Sequence, residues 1–319
     1  MRRLLAGGLV TLYLASPALA RAGTVAIFYY PWYGTPQRDG AWVHWNQNTH
    51  KPPGDLYSPF YPATGPYSSA DATVVDRQMT EIAAAGIDEV VISWWGRGSD
   101  TDKRLPSVLG SLRRHHLQAA VHLEPYADRS LASVAQDLAY LASLGIRDVY
   151  VYHPRDFAAS DWASVRAQAP SSLRLFAGTD LIGFAAAGGF AGFYTYDFIT
   201  DTGAKFIRLC EQAHAVHLLC APSVGPGYDG TRAGEAPAVT LRRNGVTYDN
   251  LWTAALEAKP DLITITSFNE WGEGTQIEPA VARHGYNTYD GAWGLTGAPA
   301  QTAYLTRTAY WAGRFHSSG

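Results

Sequence analysis

Short runs of branched and aromatic residues alternate with segments of helical period from Val25 almost to the end of the chain. A run of four to eight such residues fits a strand, and apolar positions recurring every three or four residues fit a helix that buries one face. The pattern predicts eight strands: Val25–Tyr30, Glu89–Trp95, Ala119–Glu124, Val149–His153, Leu173–Ala177, Gly192–Tyr196, His217–Pro222 and Leu262–Phe268. Helices are predicted near Thr73–Ala85, Lys103–His115, Leu131–Ser143, Trp162–Ala167, Thr202–Ala215 and Tyr248–Ala258, with Gly86, Gly145 and Pro260 as stops. Between the fifth and sixth strands the chain is short and rich in Gly and Ala, and its helical period is the faintest of the set.

Eight strands, most followed by a helix, predict a single (β/α)8 TIM barrel over residues 21–319 in preference to a doubly wound open sheet. The glycine patterns by which open-sheet enzymes hold phosphates are missing, both G-x-x-x-x-G-K-[ST] and a G-x-G-x-x-G after the first strand. Two long strand-to-helix loops, Pro31–Ala72 and Gly225–Thr247, would sit over the C-terminal mouth of such a barrel, where active sites are built.

Composition narrows the partners. Hydrophobic residues are 47% and charged residues 17%, below the usual charged share of about 25%, which suits a packed globular chain. Lys plus Arg number 25 against 28 Asp plus Glu, too few positives to hold a nucleic acid backbone. Residues 1–20 carry Arg2 and Arg3, an apolar run from Leu4 to Leu14 and a small-x-small ending at Ala18-Leu19-Ala20, the pattern of a secretory signal peptide. The run is shorter than the roughly 20 residues a bilayer span needs, so a periplasmic or secreted protein without a membrane span, and a monomer, is expected. An oxidising compartment would allow Cys210 and Cys220 to pair; their positions, on a predicted helix and the strand after it, favour two packed thiols instead. No metal is expected, since no C-x-x-C, H-E-x-x-H or EF-hand spacing occurs and His214 and His217 straddle a helix end.

Candidate chemistry collects at the predicted strand ends. The first strand runs into Tyr29-Tyr30-Pro31-Trp32-Tyr33 with Trp42, His44 and Trp45 beyond; the second ends Ser93-Trp94-Trp95 and the third His122-Leu123-Glu124-Pro125-Tyr126. Tyr150 and Tyr152 lie on the fourth, Tyr194 and Tyr196 on the sixth, and the eighth runs on through Asn269, Glu270 and Glu273. Any one of these aromatics could simply be core. Their recurrence at one end of most strands, beside amides and carboxylates, suits sugar rings, which offer apolar C–H faces and hydroxyl rims. Glu270 and Glu273, three residues apart, share one side of a turn, and two carboxylates in one site push their proton affinities apart into an acid and a base, as glycoside hydrolysis requires. Helix-dipole complementation would explain the same spacing. Glu124 and Glu278 are further candidates. No G-x-S-x-G turn supports a serine hydrolase.

The motifs Tyr29-Tyr30-Pro31-Trp32-Tyr33-Gly34, Gly65-Pro66-Tyr67-Ser68-Ser69, Ser93-Trp94-Trp95-Gly96, His122-Leu123-Glu124-Pro125-Tyr126, Gly225-Pro226-Gly227-Tyr228 and Ser267-Phe268-Asn269-Glu270-Trp271 with Glu273 through Glu278 resemble glycoside hydrolase family 99, the endo-α-1,2-mannosidases and mannanases. The likeness runs in order over nearly all of residues 21–319. It implies a (β/α)8 barrel, no cofactor, and internal cleavage of α-mannan or a mannose-containing oligosaccharide with retention at the anomeric carbon. By position, Glu270 would be the base that takes the 2-hydroxyl proton, so that this oxygen attacks C1 and a 1,2-anhydro sugar forms. Glu273 would be the general acid, then the base for water. Asn269, Glu124, Trp95, His44, Tyr194 and Tyr228 would line the subsites, with Tyr30, Trp32 and Tyr126 from the aromatic set. The chain departs from the family pattern at Gly272, where histidine is usual, and at Tyr152-His153-Pro154-Arg155, where Tyr-Asp-Ser-Tyr is typical. Both departures bear on substrate choice more than on reaction type. A hydrolase of another α-linked glycan, or a non-catalytic glycan-binding barrel, stays open at this point.

Overall fold

The computed structural model describes residues 23–199, 202–234 and 239–318; the expected leader, residues 1–20, lies outside the described residues. In chain order the first half contains β1 (Thr24–Tyr29), α1 (Pro36–Asp39), α2 (Ala72–Ala84), β2 (Glu89–Trp94), α3 (Asp100–Arg114), β3 (Gln118–Leu123), α4 (Leu131–Ser143) and β4 (Asp148–Val151). Then follow α5 (Ala159–Gln168), β5 (Arg174–Gly178), α6 (Ile182–Ala187), β6 (Gly192–Tyr194), α7 (Phe206–Ala215), β7 (Leu219–Ala221) and β8 (Ser223–Val224). A small hairpin, β9 (Tyr228–Asp229) and β10 (Val239–Thr240), precedes α8 (Val246–Glu257), β11 (Leu262–Ile265), α9 (Ala298–Gln301) and α10 (Ala303–His316).

All neighbours in the large sheet are parallel. Its strand order, β7-β6-β5-β4-β3-β2-β1-β11-β8, begins and ends on two pieces of one stave separated by Pro222, so the sheet closes into the predicted eight-staved barrel. Proline has no N–H to continue the ladder, but the Pro222 carbonyl accepts from Thr264 N at 3.1 Å and the stave goes on. Every residue of β1, β2 and β4 is buried, as strands with side chains packed on both faces must be. Side-chain caps begin three of the surrounding helices: Asp71 for α2, Ser99 for α3 and Ser130 for α4.

Several expectations change on contact with the fold. Predicted strands overrun at their C-terminal ends, to Tyr196 and Phe268 where the strands end at Tyr194 and Ile265. Helix α10 was not anticipated. Its Thr, Tyr and Trp residues have middling helix propensity, and the helix is made by burying Tyr304, Leu305, Trp311 and Phe315 as the barrel ring closes. The two cysteines are also corrected: Cys210 on α7 and Cys220 on β7 form a disulfide with Cα atoms 5.2 Å apart. After α7 ends, His217 takes a left-handed conformation and Leu218 N returns to Ala213 O at 2.9 Å, so the strand doubles back beneath the helix and brings the two positions face to face.

Acidic groups lie at both ends of the barrel. At the N-terminal end, Asp148 pairs with Arg174, and Tyr150 donates to Glu89 Oε1 at 2.9 Å. Burial and the neighbouring Asp148 push the Glu89 carboxyl well above its usual range. That cluster is enclosed by packing and serves stability. The other cluster opens into a cavity.

Candidate active site

The segment after β11 is folded by its own polar groups. Ser267 Oγ accepts from Glu270 N at 2.8 Å and contacts Thr275 Oγ1 at 2.9 Å, while Ser267 N donates to Thr275 O at 3.0 Å, which closes residues 267–275 into a compact loop. Asn269, fully buried, ties this loop to the end of β1: its Oδ1 accepts from Tyr30 N at 2.7 Å and its Nδ2 donates to Tyr30 O at 3.0 Å. Tyr33 OH donates to Asn269 O at 2.8 Å and accepts from Trp271 N at 3.1 Å. With the backbone held on both sides of it, Glu270 has little freedom. The fourth acid, Glu278, is saturated by Tyr67, Arg77, Gln78 and Trp271 and braces the loop from behind.

Glu270 is 6% exposed. Its Oε1 accepts from Gly272 N at 3.0 Å, and its Oε2 is buried with no hydrogen-bond partner. Burial, then the charge of Glu273, drives the Glu270 carboxyl well above the usual carboxylate range. With its charge buried beside that of Glu273, the Glu270 carboxyl holds a proton more tightly than a free carboxylate does. Tyr196 OH donates to Glu273 Oε2 at 3.4 Å and lies 2.5 Å from Tyr30 OH. Burial raises the affinity of both phenols for their protons, and Glu270 and Glu273 act on both, with Glu124 also acting on Tyr30. Three carboxylates thus converge on this tyrosine pair.

Glu124 is fixed on a separate polar chain. Its Oε1 accepts from Ser93 Oγ at 2.8 Å and from His122 Nδ1 at 2.9 Å, and His122 Nε2 lies 2.8 Å from Tyr194 OH. Trp95, 38% exposed, reaches Ser93 Oγ through Nε1 at 3.2 Å.

Glu270 and Glu273 line a cavity of about 280 Å³ with Trp32, Tyr33, His44, Gln47, Tyr57, Trp95, Ala233 and Gly272, at the small end of the range for ligand pockets. Trp32 stacks on His44 with ring centres 4.4 Å apart and planes 8° from parallel, and its buried Nε1 has no hydrogen-bond partner. Burial and Arg104 hold His44 down at about 4, so its ring is neutral in neutral solution. Of the residues singled out in the sequence, Glu270, Glu273, Trp32, His44 and Trp95 share this cavity, with Tyr30 directly behind Glu273 through Tyr196. Others lie further off. Tyr194 is wholly buried beneath His122, and Asn269 braces the loop. Tyr126 packs its ring over Gly96 and turns its hydroxyl to Ser133 and Asp137 on α4. Tyr228 lines a separate cavity of about 370 Å³ with Phe60, Arg242 and Tyr286. Sequence reasoning missed Gln47, Tyr57 and Ala233, which come from the two long loops and follow no period.

A parallel (β/α)8 barrel whose C-terminal mouth gathers buried carboxylates among aromatic rings is an arrangement that glycoside hydrolysis can use. The sequence pattern of Glycosyl hydrolase family 99 matches residues 21–158 and 175–317, and the chain belongs to that family. It is 33% identical over 320 residues to a glycoprotein endo-alpha-1,2-mannosidase-like protein of Danio rerio, covering 81% of this chain and 71% of that one. It is 32% identical over 331 residues to the glycoprotein endo-alpha-1,2-mannosidase of Rattus norvegicus, covering 83% and 69%. The solved structure of the GH99 endo-alpha-mannosidase from Bacteroides thetaiotaomicron superposes with a TM-score of 0.83 at 27% identity, covering 93% of this chain and 98% of that one. A cyclic alpha-maltosyl-(1→6)-maltose hydrolase from Arthrobacter globiformis, 10% identical with a TM-score of 0.52, shares the fold alone.

Proposed function

We propose that the protein cleaves internal α-1,2-mannosidic bonds of a mannose-containing glycan with retention, through a 1,2-anhydro sugar. The observation that carries this reading is Glu270: it lines the cavity beside Glu273, and its buried Oε2 has no hydrogen-bond partner, which leaves that oxygen able to accept from a sugar hydroxyl. Glu270 takes the 2-hydroxyl proton, O2 attacks C1, and Glu273 gives its proton to the departing oxygen. Water then opens the epoxide, losing a proton to Glu273 as O2 regains one from Glu270. Two close carboxylates suit complementary acid and base roles, and for Glu270 to act as the base its proton must leave before O2 attacks. The names of the relatives support the substrate class.

Glu273→Gln keeps the shape of the side chain but cannot deliver a proton, so kcat should fall by about 10²–10⁴-fold while an oligosaccharide still binds. Product analysis on a mannan with α-1,2 branches and on a glucosylated high-mannose oligosaccharide tests the reading. Internal release of short oligosaccharides by the parent and not by Glu273→Gln is expected. Parent-level turnover by the variant would reject Glu273 as the acid.

We further propose export, with cleavage after Ala20, as the N-terminal pattern suggests. Among the described residues no helix is long and apolar enough to cross a membrane. N-terminal sequencing of the protein recovered outside the cytoplasm tests this; an intact Met1-Arg2-Arg3 start would refute it.

A further inference from the structure

Gly272, the departure from the family pattern between the two acids, has a spatial cause. Its backbone lies outside the left-handed region, so any residue could adopt it. Space is what excludes a side chain. A Cβ at 272 would fall 2.6 Å from Tyr57 Cε1 and 3.2 Å from Tyr57 Cδ1, and 3.1 Å from Glu270 Oε1. A ring edge on a packed segment cannot yield by that much without moving.

Tyr57 is held from both sides. Its own N donates to Trp45 O at 2.8 Å. The preceding Leu56 gives its N–H to Tyr286 OH at 2.8 Å and its carbonyl to Arg232 Nε at 3.0 Å, while Ser58 Oγ, on the following residue, donates to Phe60 O at 2.7 Å. Arg232 belongs to the other long loop and also pairs with Asp55. Two loops far apart in the sequence therefore fix the backbone that carries Tyr57, whose side chain lines the cavity with Glu270 and Glu273.

From this geometry we infer that Tyr57 is a substrate-binding residue of this chain, presenting its ring to the C–H face of a pyranose next to the scissile bond, and that Gly272 is glycine because Tyr57 occupies the side-chain space at that position. The inference rests on the hydrolase reading of the same cleft and adds a specificity residue to it. An aromatic already fixed in place costs little ordering entropy when a sugar stacks on it. Tyr57 and Gly272 are consequently one unit, and substitutions at the two positions should not act independently.

The test uses Tyr57→Ala, Tyr57→Phe, Gly272→Ala and the double variant Tyr57→Ala/Gly272→Ala. Hydrolysis of an α-1,2-branched manno-oligosaccharide is measured for each, with calorimetric binding of the same sugar in a Glu273→Gln background and melting temperature as the folding control. Tyr57→Ala should weaken binding about tenfold, the equivalent of one good aromatic contact, and raise KM by a similar factor with kcat less affected. Tyr57→Phe keeps the ring face and should bind close to the parent. Gly272→Ala should damage KM and kcat together in the parent background, since it displaces the ring and crowds Glu270, yet add little once Tyr57 is alanine. Equal binding by the parent and Tyr57→Ala, or strictly additive effects of the two alanines, would overturn the assignment of Tyr57 alone. Failure of the Glu273→Gln protein and the active parent alike to engage the sugar would instead overturn the mannoside reading.

Discussion

Asn269→Asp is the smallest change that tests how the loop carrying Glu270 and Glu273 is held. The side chain is fully buried, and its two ends are distinguished by their partners: Oδ1 takes the Tyr30 N–H at 2.7 Å, while Nδ2 gives its protons to Tyr30 O at 3.0 Å and Tyr67 OH at 3.2 Å. An isosteric carboxylate keeps the first bond and inverts the second. Its new oxygen would face the Tyr30 carbonyl, which cannot donate, and the Tyr67 hydroxyl, whose proton is already given to Glu278 Oε2 at 2.7 Å. Two acceptors lose their donor, and an unpaired negative charge is buried next to Glu270. An unsatisfied buried group costs about 1–3 kcal/mol and an uncompensated buried charge more, so a loss of about 3–5 kcal/mol at pH 7.5 is expected. The sign with pH follows from the same contacts. Burial and neighbouring acids raise the new carboxyl above its unfolded value of about 3.9, so the folded chain binds the proton first and the variant regains stability as pH falls toward that value. Protonated, it can donate to Tyr30 O and restore the original pattern. Urea unfolding of parent and variant followed by tryptophan fluorescence at pH 7.5 and pH 5 checks this. A deficit that is absent, or equal at the two pH values, would refute the account of Asn269 as the clamp between β1 and the loop.

Two further predictions concern stability away from the carboxylate pair. Because His44 titrates at about 4 in the folded protein and about 6.5 when unfolded, the unfolded chain takes up the proton first, and stability should decline as pH drops from about 6.5 to 4. His44→Gln should flatten that part of the pH–stability curve, and an unchanged slope in urea titrations would show the ring is not desolvated. Replacing Cys210 and Cys220 together by serine opens a link spanning 10 positions and should lower unfolding free energy by about 2–3 kcal/mol, with turnover intact because the link lies on α7 and β7, away from the cavity. Unchanged unfolding of the double variant would count against a bridged native state.

The repeat of strands and helices was legible because periodicity is a local property: β-branched runs mark barrel staves, and helical spacing marks the faces that cover them. The acid pair was legible because Glu270 and Glu273 are sequence neighbours on one turn. Helix α10 was not, since its stability comes from closing the ring and not from its own propensities. Nor was the disulfide, which depends on His217 turning the chain back on itself. The aromatics sorted themselves only in three dimensions, because a tyrosine at a strand end reads the same whether it is buried behind a histidine, as Tyr194 is, or linked to an acid, as Tyr196 is.

By itself, the order of residues determined the barrel and set Glu270 close to Glu273, since each follows from spacing along one stretch of chain. Only the tertiary structure decided which groups meet. Asn269 became a clamp because β11 pairs beside β1, and Glu278 a brace because Arg77 and Gln78 on α2 face it. Tyr57 came to stand over Gly272 through a loop 215 positions earlier in the chain, as the difference of the two numbers shows, and no local rule can specify a contact between residues so far apart. Whether such a pair forms is settled by the packing of the whole barrel, because every stave and loop between them must first find its place.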